Sequence, residues 1–406
     1  MFRNMTYTEA KYVDIHVTPE RPEQLVPYVV SDASMANNIS ITKIEGALTN
    51  VIYKASLLDE SQNPTGQNYL LRLYDTKNDS IVDRESELDV LRRLPPSFDM
   101  IKILFHFENG RVENFLDEYR AIKSSEMKLP HNMHKIAQRF KELHTQVTLT
   151  ESEKKLYYGN PSEFRCFVWD KIFVWLDTIE QYESWLNGTQ NKNVQRNLLC
   201  RDWQTFKHIV HKYKNWLTEN ETSGFQNMAM CHNDTQHGNI MLERTADANS
   251  DVIFIDFEYG GIDPVEFDLA NFATECMNDY EAGESWVCDP QRYPSKDALL
   301  YFVQSYYDHL DGAVEINCKT VKQMAESITR WRACSQLFWS VWAVLQSGEL
   351  TKGANDTPVD QTGRFEYLKF CRSKMSLFWG DMISFGIATP HDCIISEVTT
   401  MDVDIA

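Results

Sequence analysis

Apolar and polar residues alternate along positions 39–58, with a break at Gly46, Ala47, Leu48, Thr49 and Asn50, and this period of two predicts two strands joined by a turn. A turn-rich stretch at 61–68 leads into Tyr-Leu-Leu-Arg-Leu-Tyr at 69–74, a third strand. Helical spacing then covers 81–94 and stops at Pro95 and Pro96, after which further strands are expected at 102–107 and 111–116. Residues 1–30 read differently. They are polar and charged, carry three prolines, and are expected to end in a helix from Pro27 toward Met35, so little function is expected there.

Beyond position 130 the period lengthens. Helices are expected at 131–145, 297–311, 321–347 and 364–385, and 161–219 reads as helical and unusually aromatic. Two short apolar runs, 228–230 and 252–255, read as buried strands. The order sheet, helix, sheet and then mostly helix predicts an α+β chain in two lobes. A small N-terminal lobe over 1–113 would hold an antiparallel sheet and one helix, and a larger, mainly helical C-terminal lobe would cover 114–406. No internal repeat or low-complexity tract interrupts this order.

Composition narrows the partners. A chain of 406 residues can bury one large core or two moderate ones. No run approaches the roughly 18 uncharged apolar residues of a membrane span, and the N-terminus lacks a secretory apolar core. Nine cysteines without a CxxC pair or regular spacing suggest free thiols in a reducing compartment, hence a cytoplasmic protein. A net charge of −19 opposes binding to nucleic acid and to anionic membrane surfaces.

The candidate chemistry sits in two places. Residues 231–239 read Cys-His-Asn-Asp-Thr-Gln-His-Gly-Asn, and Asp256 follows Asn239 by 17 positions, in Ile-Asp-Phe-Glu. Asp234 and Asn239 have the offset of H-x-D-x-x-x-x-N, and Asp256 falls where kinases hold their metal-binding Asp-Phe-Gly. A short loop can thus offer Asp234 as base for an incoming hydroxyl and Asn239 as a metal ligand, with Asp256 completing the metal shell from the next strand. Hard oxygen ligands suit Mg²⁺ beside nucleotide phosphates. The pattern points to ATP-dependent phosphoryl transfer on a protein-kinase-like fold.

The nucleotide side is more diffuse. The turn from Gly46 to Asn50 can bring backbone N–H groups to phosphates. Arg72, on the third strand, occupies the place of the kinase phosphate-binding lysine, and Glu87 on the following helix is its expected ion-pair partner, with Glu85 as the alternative. Asn114, Phe115 and Leu116 would form the hinge that meets the adenine edge through backbone groups. Gln236 either reaches toward the transferred phosphate or stabilises the loop.

The stretch 255–280, Ile-Asp-Phe-Glu-Tyr through Phe-Asp-Leu-Ala-Asn to Glu-Cys-Met-Asn-Asp-Tyr, together with 231–239, resembles the signature of the choline/ethanolamine kinase family. The resemblance spans roughly 40–375. It implies ATP- and Mg²⁺-dependent phosphorylation of choline, with ethanolamine as the alternative, the entry step of the nucleotide-activated route to phosphatidylcholine or phosphatidylethanolamine. It also implies a homodimer. By position it makes Asp234 the base, Asn239 and Asp256 the metal ligands, and Trp339 and Trp342 the choline-facing tryptophans. A quaternary ammonium cannot donate a hydrogen bond, so aromatic faces and a carboxylate must hold it; Tyr259, Glu275 and Tyr280 are the further candidates. Three positions depart from the family. Cys276 replaces a tryptophan, Asn278 replaces a tyrosine, and the late aromatic position falls near 359–361, where none is present. Asp360 in that segment keeps ethanolamine open. Other small-molecule phosphotransferases of this fold, such as aminoglycoside kinases, and a catalytically silent nucleotide-binding protein are the rival readings.

Overall fold

Six strands make one sheet: β1 (Lys11–Val13), β2 (Ile39–Ile44), β3 (Asn50–Leu58), β4 (Pro64–Tyr74), β5 (Ile103–Phe107) and β6 (Gly110–Asn114) lie in the order β1-β5-β6-β4-β3-β2. The computed structural model describes residues 10–29, 38–44, 50–74, 84–98, 100–158, 164–182, 192–221, 227–244, 251–308, 318–351 and 365–403. The chain divides into two units, Met1–Arg120 with Met241–Glu258, and Ala121–Ile240 with Tyr259–Ala406.

In the first unit the expected strands pair antiparallel, and β1 adds a parallel edge beside β5. The lead-in segment thus contributes an edge strand to the sheet. Val13, Val17, Leu25, Val26 and Val29 pack with Leu71, Leu73, Phe105, Phe107 and Val112 in one apolar cluster. Spacing along β4 explains the division of labour: Leu71 and Leu73 point into that cluster, while Arg72 between them faces the other side. The turn into β6 needs Gly110, because a Cβ there would stand 2.2 Å from the carbonyl oxygen of Arg72. Of the helix expected from Pro27, α1 (Val26–Val29) is described, and 30–37 lie outside the described residues. The second helix, α2 (Arg84–Arg93), buries Val90, Leu91 and the carboxylate of Glu87. Strands β7 (Tyr119–Ala121), β9 (Ile240–Glu243) and β10 (Val252–Phe254) form a three-stranded sheet, β10-β9-β7.

The second unit is mainly helical. Its helices are α3 (Pro130–Gln146), α4 (Glu151–Tyr158), α5 (Phe167–Glu180), α6 (Lys192–Asn197), α7 (Trp203–Asn220), α8 (Val265–Glu275), α9 (Lys296–Asp308), α10 (Cys318–Gln346) and α11 (Tyr367–Ser384). Helix α10 is buried around its whole circumference from Trp331 to Val344, packed by α5, α8, α9 and α11. Its polar residues close bonds locally or onto neighbours: Ser340 Oγ donates to Gln336 O at 2.7 Å, and Ser335 shares a bond with Thr274 of α8. A two-stranded ribbon, β8 (Met228–Cys231) with β11 (Gly261–Pro264), is antiparallel and wholly buried. The loop bearing Asp234 leaves the end of this ribbon. Among the described residues no helix is long and apolar enough to cross a membrane.

Candidate active site

In the first unit Arg72 is buried and pairs with two carboxylates. Its Nη1 lies 3.1 Å from both oxygens of Asp256, and its Nε is 3.6 Å from Glu113. Glu87 is one residue further along the network than expected: it takes Arg111 Nη2 at 2.7 Å and lies 3.7 Å from Arg84. The reason is register. Glu113 sits on β6 beside β4, within reach of Arg72, whereas α2 aims Glu87 at Arg111. Asn50 is buried too, with Nδ2 donating to Glu258 at 3.3 Å and Oδ1 accepting from Arg84 at 3.1 Å. Arg84 in turn holds Glu258 at 2.9 Å. Three guanidiniums, of Arg72, Arg84 and Arg111, thus face the four carboxylates of Glu87, Glu113, Asp256 and Glu258.

Asp256 follows β10 with a left-handed backbone, φ +67°. Such a conformation costs energy for a residue with a Cβ, though aspartate tolerates it better than most. Burial alone would push its carboxyl up, but Arg72, with Arg111 and Arg84 behind it, holds it below the usual carboxylate value. Asp256 is therefore an anion at neutral pH.

The remaining nucleotide-side candidates are placed as follows. Gly46, Ala47, Leu48 and Thr49 lie outside the described residues. Asn114 ends β6, its side chain bonding Lys102 N at 2.5 Å and Met100 O at 3.0 Å. The N–H of Phe115 goes to Asn68 O at 3.3 Å, its ring lies 4.2 Å from Lys54 Nζ, and Leu116 O accepts from Tyr119 N at 3.1 Å.

In the second unit Asn239 Nδ2 donates to both the main-chain oxygen of Asp234, at 2.9 Å, and its Oδ2, at 2.8 Å. With its amide nitrogen so engaged, Asn239 has Oδ1 left as the acceptor a metal ion requires. Gln236 plays the loop-stabilising part: its Oε1 caps the turn by accepting from Gly238 N at 2.8 Å. A Cβ at position 238 would press on that amide at 2.9 Å.

Sequence reasoning missed the residue that holds this loop. Asp268, in the first turn of α8 and fully buried, accepts the backbone N–H of His232 at 2.7 Å and of Asn233 at 2.8 Å. His144 on α3 lies 3.0 Å from the same carboxylate. Asn233 has φ +66°, and its side chain donates to Tyr259 O and Asp263 Oδ2, which fixes the turn that presents Asp234. The signal was available: Asp268 stands in the Phe-Asp-Leu-Ala-Asn block, four residues after Pro264, where a helix N-terminus favours a carboxylate.

The amine-side candidates meet in the same unit. Trp342 Nε1 donates to Tyr259 OH at 2.7 Å, and Trp339 Nε1 donates to Asn271 Oδ1 at 2.8 Å. The Tyr259 and Trp339 rings are 5.1 Å apart edge to face, and Trp339 and Trp342 are 5.5 Å apart. Glu275 is buried and clamped, Oε1 by Lys374 Nζ at 3.1 Å and Oε2 by Tyr280 OH at 2.7 Å. Tyr280 stacks on His237 of the loop bearing Asp234, and its N–H donates to His237 Nε2 at 3.3 Å. Burial lowers the His237 imidazole below its ordinary value despite the carboxylates around it.

The late aromatic position looked empty in sequence, and residues 352–364 lie outside the described ones. Among the described residues, Tyr367 meets Trp342 at 5.6 Å, and Phe365 and Phe370 pack against Tyr280 at 6.1 and 6.2 Å. Cys276 and Asn278 are fully buried.

Residues 41–379 match a family model described as choline/ethanolamine kinase. Two proteins of Saccharomyces cerevisiae are 32% identical to this chain: a choline kinase, over 88% of this chain and 73% of its own length, and an ethanolamine kinase, over 95% and 78%. Among solved structures, a Plasmodium vivax ethanolamine kinase superposes with a TM-score of 0.65 at 20% identity, covering 92% of this chain and 88% of its own. A choline kinase of Cryptosporidium parvum gives 0.64 at 18%, covering 91% and 96%. At those identities the structural likeness establishes the protein-kinase-like fold.

Proposed function

Since the chain belongs to the choline/ethanolamine kinase family and is thereby an ATP-dependent small-molecule kinase, we propose that it phosphorylates choline, with ethanolamine as the slower substrate, and so feeds phospholipid synthesis. The observation that carries this reading is a continuous contact path within the second unit. It runs from the loop bearing Asp234 through His237 and Tyr280 to Glu275, and so links a hydroxyl-activating end to a cation-holding end. An amino alcohol has those two ends. The neighbouring rings of Tyr259, Trp339 and Trp342 offer π surface, which a quaternary ammonium needs and a sugar hydroxyl does not.

In the proposed reaction the substrate hydroxyl gives its proton to Asp234 as its oxygen attacks the γ-phosphorus, and the bond to the β-phosphate oxygen breaks to release ADP. Asn239 orients Asp234 through its two donated bonds. Arg72 is the proposed phosphate contact, alongside the segment from Gly46 to Asn50. Mg²⁺ is the proposed metal: Asn239 Oδ1 and the anionic carboxylate of Asp256 are hard oxygen donors suited to it. When bound, it would offset charge on the phosphates. The resemblance adds a homodimer, which light scattering of the purified protein tests, and the cysteine usage adds a cytoplasmic location.

Steady-state assays with choline, ethanolamine and their mono- and dimethylated intermediates test the substrate. The expected order of kcat/KM rises with methylation. Preference for ethanolamine would overturn the choline assignment, and turnover of aminoglycosides alone would overturn the amino-alcohol reading. Asp234→Ala should lower kcat by about 10²–10⁴-fold while nucleotide binding persists; near-normal turnover would remove Asp234 from the role of base.

A further inference from the structure

Cys200 and Cys393 are bridge partners between two short antiparallel segments. The bonds that make the bridge flank them: Arg201 N donates to Asp392 O at 3.2 Å, and Ile394 N donates to Leu199 O at 2.9 Å. Neither cysteine exchanges a backbone bond with the other, so they form the non-hydrogen-bonded kind of pair, in which Cα atoms approach to about 4.5 Å and side chains leave on the same face. That separation falls inside the roughly 4.4–6.8 Å span of natural disulfides. Both cysteines are unbridged and buried, Cys393 at 9% exposure being the more accessible, and the Cys200 Sγ donates to Gln195 O at 3.6 Å.

From this pairing we propose that Cys200 and Cys393 are a thiol pair that closes to an intramolecular disulfide under oxidising stress, stapling the lead-in to α7 onto the C-terminal segment. The surroundings are prepared for a fixed pair. Leu199 is held at φ +51°, a conformation a leucine adopts only when its neighbours impose it, and Trp379 Nε1 donates to Leu198 O at 2.9 Å. The oxidant is a low-molecular-weight disulfide. One cysteine, deprotonated, attacks it and forms a mixed disulfide with release of one small thiol. The second cysteine then displaces the other small thiol and closes the Cys200–Cys393 bond, so two protein thiols are oxidised and one disulfide is reduced. Burial pushes the Cys393 thiol up to about 11 and that of Cys200 to about 12, which makes Cys393 the first to react and the process slow at neutral pH.

Cys371 is the competitor. It is buried on α11, and its Sγ donates to Asn197 O at 3.6 Å, close to the same segment. The sequence makes the test clean, because Arg196, Arg201, Lys369, Arg372 and Lys374 put Cys200, Cys371 and Cys393 on separate tryptic peptides. The full-length protein is incubated with oxidised glutathione at mildly alkaline pH, alkylated and digested without reduction. The expected product is a crosslink between the Cys200 and Cys393 peptides, absent in Cys393→Ser and retained in Cys371→Ser, with a rise of the oxidised protein's Tm of more than about 2 °C. A Cys200–Cys371 crosslink, glutathione adducts without closure, or no loss of either thiol would each overturn the proposal.

Discussion

Arg72 and Arg111 stand directly opposite one another across β4 and β6, and both are buried. Like charges in facing positions repel, so the arrangement persists only because carboxylates separate their duties: Arg111 is held by Glu87 and Glu113, Arg72 by Glu113 and Asp256. Removing either cation strands buried anions. Arg111→Met should therefore cost about 3–5 kcal/mol in stability. Arg72→Met should do the same and, by freeing Asp256 to protonate, should also move the acid limb of the kcat/KM profile to higher pH. The sign follows from the depressed carboxyl: its contribution to stability is present above the unfolded value and is lost as pH falls through the folded one. Urea titrations and pH–rate profiles of the two variants check this, and an unmoved acid limb in Arg72→Met would contradict it.

Asp268 holds the loop that bears Asp234 through two backbone N–H groups. Asp268→Ala leaves the N–H groups of His232 and Asn233 and the His144 ring without their shared acceptor. Each orphaned donor costs about 1–3 kcal/mol. The expected result is lower stability and a kcat reduced at least tenfold, with the KM for ATP little changed. An unaltered kcat in the folded variant would deny Asp268 a positioning role.

Trp342 separates packing from substrate recognition. Trp342→Ala should destabilise by about 3–5 kcal/mol, because the side chain is buried against Trp339 and Tyr367 and bonds Tyr259. Trp342→Phe keeps an aromatic ring while losing the bond to Tyr259 and part of the indole volume. For the choline reading, the phenylalanine variant should raise the choline KM severalfold and leave the ATP KM alone. Equal changes in both would make the residue a core element.

His237 ties pH to the proposed amine end through its bond to Tyr280. Its Nε2 accepts the Tyr280 N–H, which a protonated ring cannot do. Burial depresses the folded imidazole below its ordinary value, so the neutral form prevails at pH 7 and its stabilising contribution fades as pH falls below the unfolded value. The amine KM should accordingly rise as pH falls below the unfolded imidazole value. His237→Gln should weaken amine binding at every pH and flatten that rise; the same acid dependence in the variant would assign it to another group.

Local order was legible in the chain. Alternation along 39–58 gave β2 and β3, helical spacing gave α2, α3, α9, α10 and α11, and the Asp234–Asn239 offset marked the loop where those two side chains meet. These features depend on neighbours a few residues apart, whose spacing the sequence states directly. Other features lack such spacing. Nothing local says that Lys11–Val13 will edge the sheet beside β5, and the helical character of 161–219 does not by itself divide it into the three helices, α5, α6 and α7, that occupy its described part.

What the sequence determined by itself was therefore the kind of elements, the family-like motifs and the residue types able to do phosphoryl transfer. Tertiary structure decided the partners: Glu113 and Asp256 for Arg72, Asp268 for the loop, Lys374 for Glu275, Tyr367 for Trp342, and Cys393 for Cys200. Such pairs lie far apart along the chain, and which distant residues meet is fixed by strand register and helix packing, where a slip of one residue turns a side chain to the opposite face.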